Sequence, residues 1–229
     1  MRYAYGFVAA IAILAFAGTT HAQLLYSFES PAAFPDGFGP NGGGATTAQD
    51  TIGATDGTHS LKYSVVTGAT FVGALTGTVP APLNNPPGVP AISFDMTIGP
   101  NDVFTGQFDI IGITVFGANA PLGQFGLQAQ FTPFIHIDGK AAGTYTNLVI
   151  PLTGATNPLT FATGQSFNDI FTTGTPDASH LNPSGFQFFI NKSNDAPTTV
   201  YLDNVRIVPE PATLGLLALG LLGLGLRRH

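Results

Sequence analysis

The chain has 229 residues, no cysteine, seven Lys and Arg against thirteen Asp and Glu, and a net charge of −6. It therefore lacks a thiol nucleophile, disulfides and any Cys-ligated zinc site. Its acidity excludes a phosphate-gripping surface, so no nucleic-acid partner is expected. Low charge with 29 Gly and 18 Pro suits an extracellular β protein rather than a cytoplasmic enzyme.

The first element is an address. Arg2 supplies a positive start, residues 6–16 form an uncharged apolar run, and Thr20-His21-Ala22 ends on a small residue. This is the order of a secretory signal peptide cleaved between Ala22 and Gln23, with the Sec machinery and signal peptidase as expected partners. The alternatives are an uncleaved anchor or a buried helix. The apolar run is shorter than the ~20 residues a spanning helix requires, which favours cleavage.

Residues 1–22 thus stand apart from a body, 23–207, and a tail, 208–229. The body keeps four of the seven bases (Lys62, Lys140, Lys192 and Arg206) and twelve of the thirteen acids. Its length suits one domain with a sizeable core. Its apolar residues recur with period two. Strands are expected over 24–28, 61–65, 70–79, 92–98, 108–116, 125–131, 134–137, 144–151, 186–190 and 199–208. In the fourth, Ile92, Phe94, Met96 and Ile98 alternate with Ser93, Asp95 and Thr97, which reads as a strand with one face buried. Gly, Pro, Asn and Asp clusters at 84–88 and 153–158 separate strands. The Gly-rich stretch 37–44 reads as a mobile loop, and only 167–171 reads as a helical turn. Nine or ten strands without a long helix predict an all-β, antiparallel β-sandwich or jelly roll. A signal helix and a transmembrane helix would flank it.

Two segments sharpen that prediction. Leu25-Tyr26-Ser27-Phe28-Glu29 precedes Asp56-Gly57-Thr58-His59-Ser60-Leu61-Lys62-Tyr63, and Val200-Tyr201-Leu202-Asp203-Asn204-Val205-Arg206-Ile207 ends the body. The pattern resembles galactose-binding-like jelly rolls, which include many carbohydrate-binding modules. That resemblance implies a structural calcium held by Glu29 on the first strand, Asp203 on the last, and the loop from Asp56 to Ser60. Ca²⁺ takes six to eight hard oxygens, which carboxylates and carbonyls supply. Alternatively, Glu29 pairs with Arg206 or faces solvent, and Asp203 caps a bulge.

Other chemistry is sparse. His136 and Asp138 are two apart on a predicted strand and share a face, but no third ligand accompanies them. His59 and His180 fall in loops. Glycosidases need two carboxylates about one bond, whereas the body has one Glu, Glu29. The Asp residues sit in turn contexts, and no G-x-S-x-G elbow occurs. No enzyme is expected. Nineteen Phe and six Tyr without Trp favour core packing over a flat sugar-stacking platform. Asn191-Lys192-Ser193 matches a glycosylation sequon.

The tail is the most specific element. Val208-Pro209-Glu210-Pro211 is followed by the apolar run 212–226 and by Arg227-Arg228-His229. Pro209 and Pro211 break the chain before the run. Fifteen helical residues reach ~22 Å, short of a ~30 Å hydrocarbon core, so the run suits a thin membrane with Arg227 and Arg228 at the cytoplasmic side. Together these parts resemble the PEP-CTERM sorting domain of Gram-negative bacteria, also called the ice-binding protein C-terminal domain. The resemblance implies recognition by exosortase, a membrane-embedded cysteine protease or transpeptidase, with cleavage near Pro-Glu-Pro. The logic parallels a GPI signal, whose apolar tail is removed. The expectation is an exported, non-catalytic bacterial protein. It would pass through the inner membrane to the cell surface or extracellular matrix. The alternatives are a carbohydrate-binding module for exopolysaccharide and a secreted glycan-active enzyme.

Overall fold

The computed structural model describes residues 22–209, except 32, 67–70, 85–89, 103, 105–108, 121–122, 157–163, 172–179 and 193–196. The expected signal helix over 1–21 and transmembrane run over 212–226 lie outside the described residues. Among the described residues, no helix is long and apolar enough to cross a membrane.

Twelve strands form among these residues. They are β1 (Gln23–Tyr26), β2 (Gly39–Asn41), β3 (Ala45–Asp50), β4 (Ser60–Val65), β5 (Phe71–Thr76) and β6 (Pro90–Ile98), then β7 (Ile110–Asn119), β8 (Gln124–His136), β9 (Gly143–Pro151), β10 (Gly154–Thr156), β11 (Asn182–Asn191) and β12 (Thr198–Pro209). Two one-turn helices accompany them, α1 (Ala81–Asn84) and α2 (Phe167–Ile170). Helix α2 falls at the expected turn, where Ser166 and Asp169 form a capping box that satisfies the first N–H groups.

The strands make two antiparallel six-stranded sheets. Sheet A runs β3-β4-β12-β6-β9, and sheet B runs β10-β8-β7-β11-β5-β2. Strand β12 is the spine of sheet A. Along one edge it pairs first with β4, through Leu202↔Leu61, and then with β1, through Ile207↔Gln23. On its other edge it pairs with β6 as far as Pro209↔Pro90. The core lies between the sheets. Phe94, Met96, Leu202 and Ile207 meet Phe131, Ile113, Phe186 and Phe188 there, all fully buried. Alternation in the sequence is what delivers these side chains to one face.

The structure corrects several sequence expectations. The stretch 37–44 is not merely a loop: Gly39–Asn41 pairs with β5 as an edge strand of sheet B. Strands β3 and β10 were not expected, because Thr-rich or Gly-flanked three- to six-residue segments carry little apolar periodicity. The two strands expected over 125–131 and 134–137 are one, β8, running through the cis Thr132–Pro133 bond with a register shift against β7. Strand β6 is buried on both faces, because the loop 51–59 lies over Asp95 and Thr97. Finally, Glu29 lies beyond β1 rather than in it. The chain turns at Phe28, whose φ is 58°, while Asp36 Oδ2 accepts the N–H groups of Ser27 and Phe28 at 3.0 and 2.7 Å.

Candidate functional site

Four of the sequence-predicted site residues, Glu29, Asp56, Ser60 and Asp203, gather around one loop, 51–59, on the outer face of sheet A. The two acids on which calcium was expected hold this loop through its N–H groups. Glu29 Oε1 accepts from the backbone N–H of Thr58 and of His59, both at 2.7 Å. Its Oε2 meets Thr58 Oγ1 at 2.8 Å and His59 Nδ1 at 3.2 Å. Asp203 Oδ2 accepts from the N–H groups of Thr55 and Asp56 at 2.6 and 2.8 Å. Gly57 is required by position and shape: its φ is +86°, and a Cβ there would lie 2.5 Å from Glu29 Oε1. Ser60 closes the loop by donating its hydroxyl to Ile52 O at 2.5 Å.

The remaining charges are arranged in the same way. Arg206 donates to Asp56 Oδ2 at 2.8 Å and to Asn204 Oδ1, so Glu29 is not its partner. Asp95, opposite Asp203 across β6 and β12, accepts from Asn147 N–H at 2.7 Å and Asn204 Nδ2 at 3.1 Å. The Thr55 hydroxyl lies 2.6 Å from Asp95 Oδ2 and 3.1 Å from Asp203 Oδ2. A hydroxyl has one proton, so it serves one carboxylate at a time. Asp203 Oδ1 is buried without a partner. Burial pushes the Asp203 carboxyl above its ordinary range, against the N–H groups of Asp56 and Thr55.

As a cation site this arrangement is half-built. Asp203 Oδ1 fits the chemistry of a Ca²⁺ ligand, since it is a hard, buried oxygen with no donor. Glu29 is already engaged by four donor contacts, and Asp56 by Arg206. Among the described residues, no group of three or more His, Asp or Glu is arranged to hold a metal.

The Glu29 clasp has a pH signature. The N–H of His59, then that of Thr58 and the Thr58 hydroxyl, hold its carboxyl down at about 2 from an ordinary 4.5. Because the folded value is the lower one, the clasp stabilises the fold above about pH 4.5 and fades as pH falls toward 2. Glu29→Gln is expected to lower the melting temperature at neutral pH, with the gap from wild type closing on acidification. Thermal melts across that range check this, and a gap that widens in acid would contradict it.

The outer face of sheet B carries a second constellation, which the sequence reading missed. On β11, Phe186, Phe188 and Ile190 enter the core, so Gln187 and Phe189 point away from it. On β7 and β8 the same alternation sends Thr114, Phe116, Gln128 and Gln130 outward. Register then aligns them: Gln187 is opposite Thr114, Thr114 opposite Gln130, and Phe116 opposite Gln128.

Two glycines shape this face. Gln187 lies over Gly73 of β5, where a Cβ would collide with its amide, and reaches across that strand to accept from Asn41 Nδ2 at 2.7 Å. Phe189 lies over Gly112 of β7, where a Cβ would be 2.7 Å from its Cε1 and 2.9 Å from Phe134 Cδ1. The Phe134 and Phe189 rings meet edge to face at 5.5 Å. The result is a row of neutral amides and a hydroxyl from Asn41 through Gln187 and Thr114 to Gln130, beside an aromatic row. None of these positions is charged. Gln187, Thr114 and Phe189 form the buried floor, Gln128, Gln130 and Phe116 are half-buried, and Asn41 is exposed. Thr114 Oγ1 is buried without a partner. The signal available in sequence was the Gln and Thr placed between apolar residues on three neighbouring strands.

Elsewhere, His136 Nδ1 sits 3.1 Å from Asp138 Oδ1, both solvent-accessible at the end of β8. Gln23 opens β1, and Val208 and Pro209 are the last rungs of β12. Glu210, Pro211, Arg227 and Arg228 lie outside the described residues.

Among solved structures, the body is similar to the solution structure of CtCBM11, with 15% identity, 85% of this chain and 99% of that chain covered, and a TM-score of 0.52. It is also similar to the family 11 carbohydrate-binding module of the cellulosomal cellulase Lic26A-Cel5E of Clostridium thermocellum, with 16% identity, 83% and 96% covered, and a TM-score of 0.50. At such identities the likeness concerns the fold. No protein with a curated description matches the chain. The C-terminal segment is assigned directly: residues 208–228 match the PEP-CTERM protein-sorting motif, so a sandwich folded like carbohydrate-binding modules ends in a PEP-CTERM sorting motif.

Proposed function

We propose that this protein is an exported, exosortase-sorted surface or matrix component whose sheet B outer face binds a neutral polysaccharide without catalysis. The observation that carries the reading is the charge-free face on which the accessible amides of Asn41, Gln128 and Gln130 surround the buried Gln187 and Thr114. Side-chain amides offer donors and acceptors together, which suits the hydroxyl groups of a neutral sugar. Neighbouring strands are about 4.8 Å apart, a spacing close to the sugar repeat of an extended glycan crossing the strands. In this reading the leader is removed after Ala22, the 212–226 run holds the chain at the inner membrane, and exosortase cuts near Pro209–Pro211. The body is then displayed or released outside.

Affinity electrophoresis of the full-length chain through gels holding a neutral mixed-linkage glucan, a xylan or an anionic alginate tests this. Retardation by a neutral polysaccharide is expected. Migration unchanged in every gel, or slowed only by alginate, overturns it.

A structural calcium at Asp203 is a second proposal, favoured by the partnerless Oδ1. It separates cleanly from the metal-free case. A carboxyl whose folded pKa is raised contributes stability that is present below its ordinary range and lost as pH rises. In EDTA at neutral pH, Asp203→Asn is therefore expected to raise the melting temperature. Added Ca²⁺ should raise that of the wild type and leave the variant unmoved. An unchanged wild-type melt on adding Ca²⁺ removes the calcium proposal.

A further inference from the structure

We propose that Asn41 is a site of spontaneous deamidation, a covalent change that breaks the Asn41–Gln187 hydrogen bond at the edge of sheet B. Asn41 is the last residue of β2, exposed, and followed by Gly42. Gly42 has φ +96°, and a Cβ placed on it would meet nothing within 4 Å. A residue with no side chain, at the start of the three-glycine turn 42–44, leaves its backbone nitrogen free to approach the Asn41 side chain. The Gly42 nitrogen attacks Asn41 Cγ. The new C–N bond closes a five-membered imide, and the amide nitrogen leaves as ammonia once the Gly42 proton is transferred to it. Water then adds to either imide carbonyl, giving aspartate or, with the chain rerouted through Cγ, isoaspartate. No oxidant or metal is needed.

The consequence follows from one hydrogen bond. Asn41 Nδ2 donates to Gln187 Oε1 at 2.7 Å. After conversion the donor is gone, and a carboxylate oxygen faces the Gln187 carbonyl oxygen. Gln187 must turn its amide, although it is packed tightly over Gly73. The neutral row thereby acquires a negative charge at one end. The chemistry itself does not depend on the polysaccharide reading; only its effect on binding does.

The test is to age the folded full-length chain at mildly alkaline pH and follow the peptide spanning Asn41 by mass spectrometry and chromatography. Conversion at Asn41 into two separable products, aspartyl and isoaspartyl, is expected. Asn41→Gln, which lengthens the side chain by one methylene and keeps an amide, should suppress the conversion at that position several-fold. The Gln187 side-chain amide resonance should move in aged wild type and in Asn41→Asp. Conversion confined to denatured protein, or a mass gain that persists in Asn41→Gln, overturns the proposal. If conversion occurs while no neutral polysaccharide binds before or after ageing, the modification stands and the binding reading fails.

Discussion

Phe188→Ala is expected to remove about 3–5 kcal/mol of folding stability, the usual loss when a large core aromatic is truncated. The side chain is fully buried where the two sheets meet. Its ring lies 5.1 Å from Phe94 of sheet A, 5.2 Å from Phe186 and 6.2 Å from Phe38. Truncation withdraws the apolar surface and leaves a cavity that these three rings cannot all close, because each is fixed by its own neighbours. Domains of this kind hold about 5–15 kcal/mol in total, so the fold would be left marginal. Denaturant unfolding should show a much lower midpoint with an unchanged slope, whereas Phe188→Leu should cost less. A loss below about 1 kcal/mol would mean that the sheets do not close on Phe188.

The largest effect on binding is expected from Gln128→Ala combined with Gln130→Ala. Both side chains are half-buried on the outer face of β8, and neither enters the core. Each hydrogen bond to a neutral hydroxyl is worth about 0.5–1.5 kcal/mol net. Losing two should weaken polysaccharide affinity by about 1–3 kcal/mol, or roughly fivefold to 150-fold. Stability should move little, since substitutions at such positions usually lie within about 0.5 kcal/mol. Affinity electrophoresis beside thermal melts checks both halves. Unaltered retardation by the polysaccharide would place binding elsewhere.

The sandwich was legible because alternation is unambiguous where Phe and Ile recur every second residue, as in β6, β11 and β12. Burial of the outer face of β6 was not, since it depends on a loop forty residues upstream, where Thr55 meets Asp95. That loop also explains Asp95 and Thr97: they read as a solvent face and are instead roofed. The resemblance places Glu29 and Asp203 beside one loop as cation ligands, whereas the groups they meet there are N–H donors, which a pattern of residue types does not reveal. The amide row was legible only as separate polar residues between apolar neighbours, not as a row. Gln187, Thr114 and Gln130 lie far apart in the chain, and only the registers of β11, β7 and β8 align them. Likewise, the need for Gly73 and Gly112 appears only when Gln187 and Phe189 are seen lying over them.

The most direct measurement is an NMR titration of the full-length chain with a neutral glucan oligosaccharide, following backbone and side-chain amides together. Shifts should concentrate on Asn41, Thr114, Gln128, Gln130 and Gln187, with the 51–59 loop unaffected. Shifts clustered on that loop, or none at saturating sugar, would contradict the assignment of the binding face to sheet B.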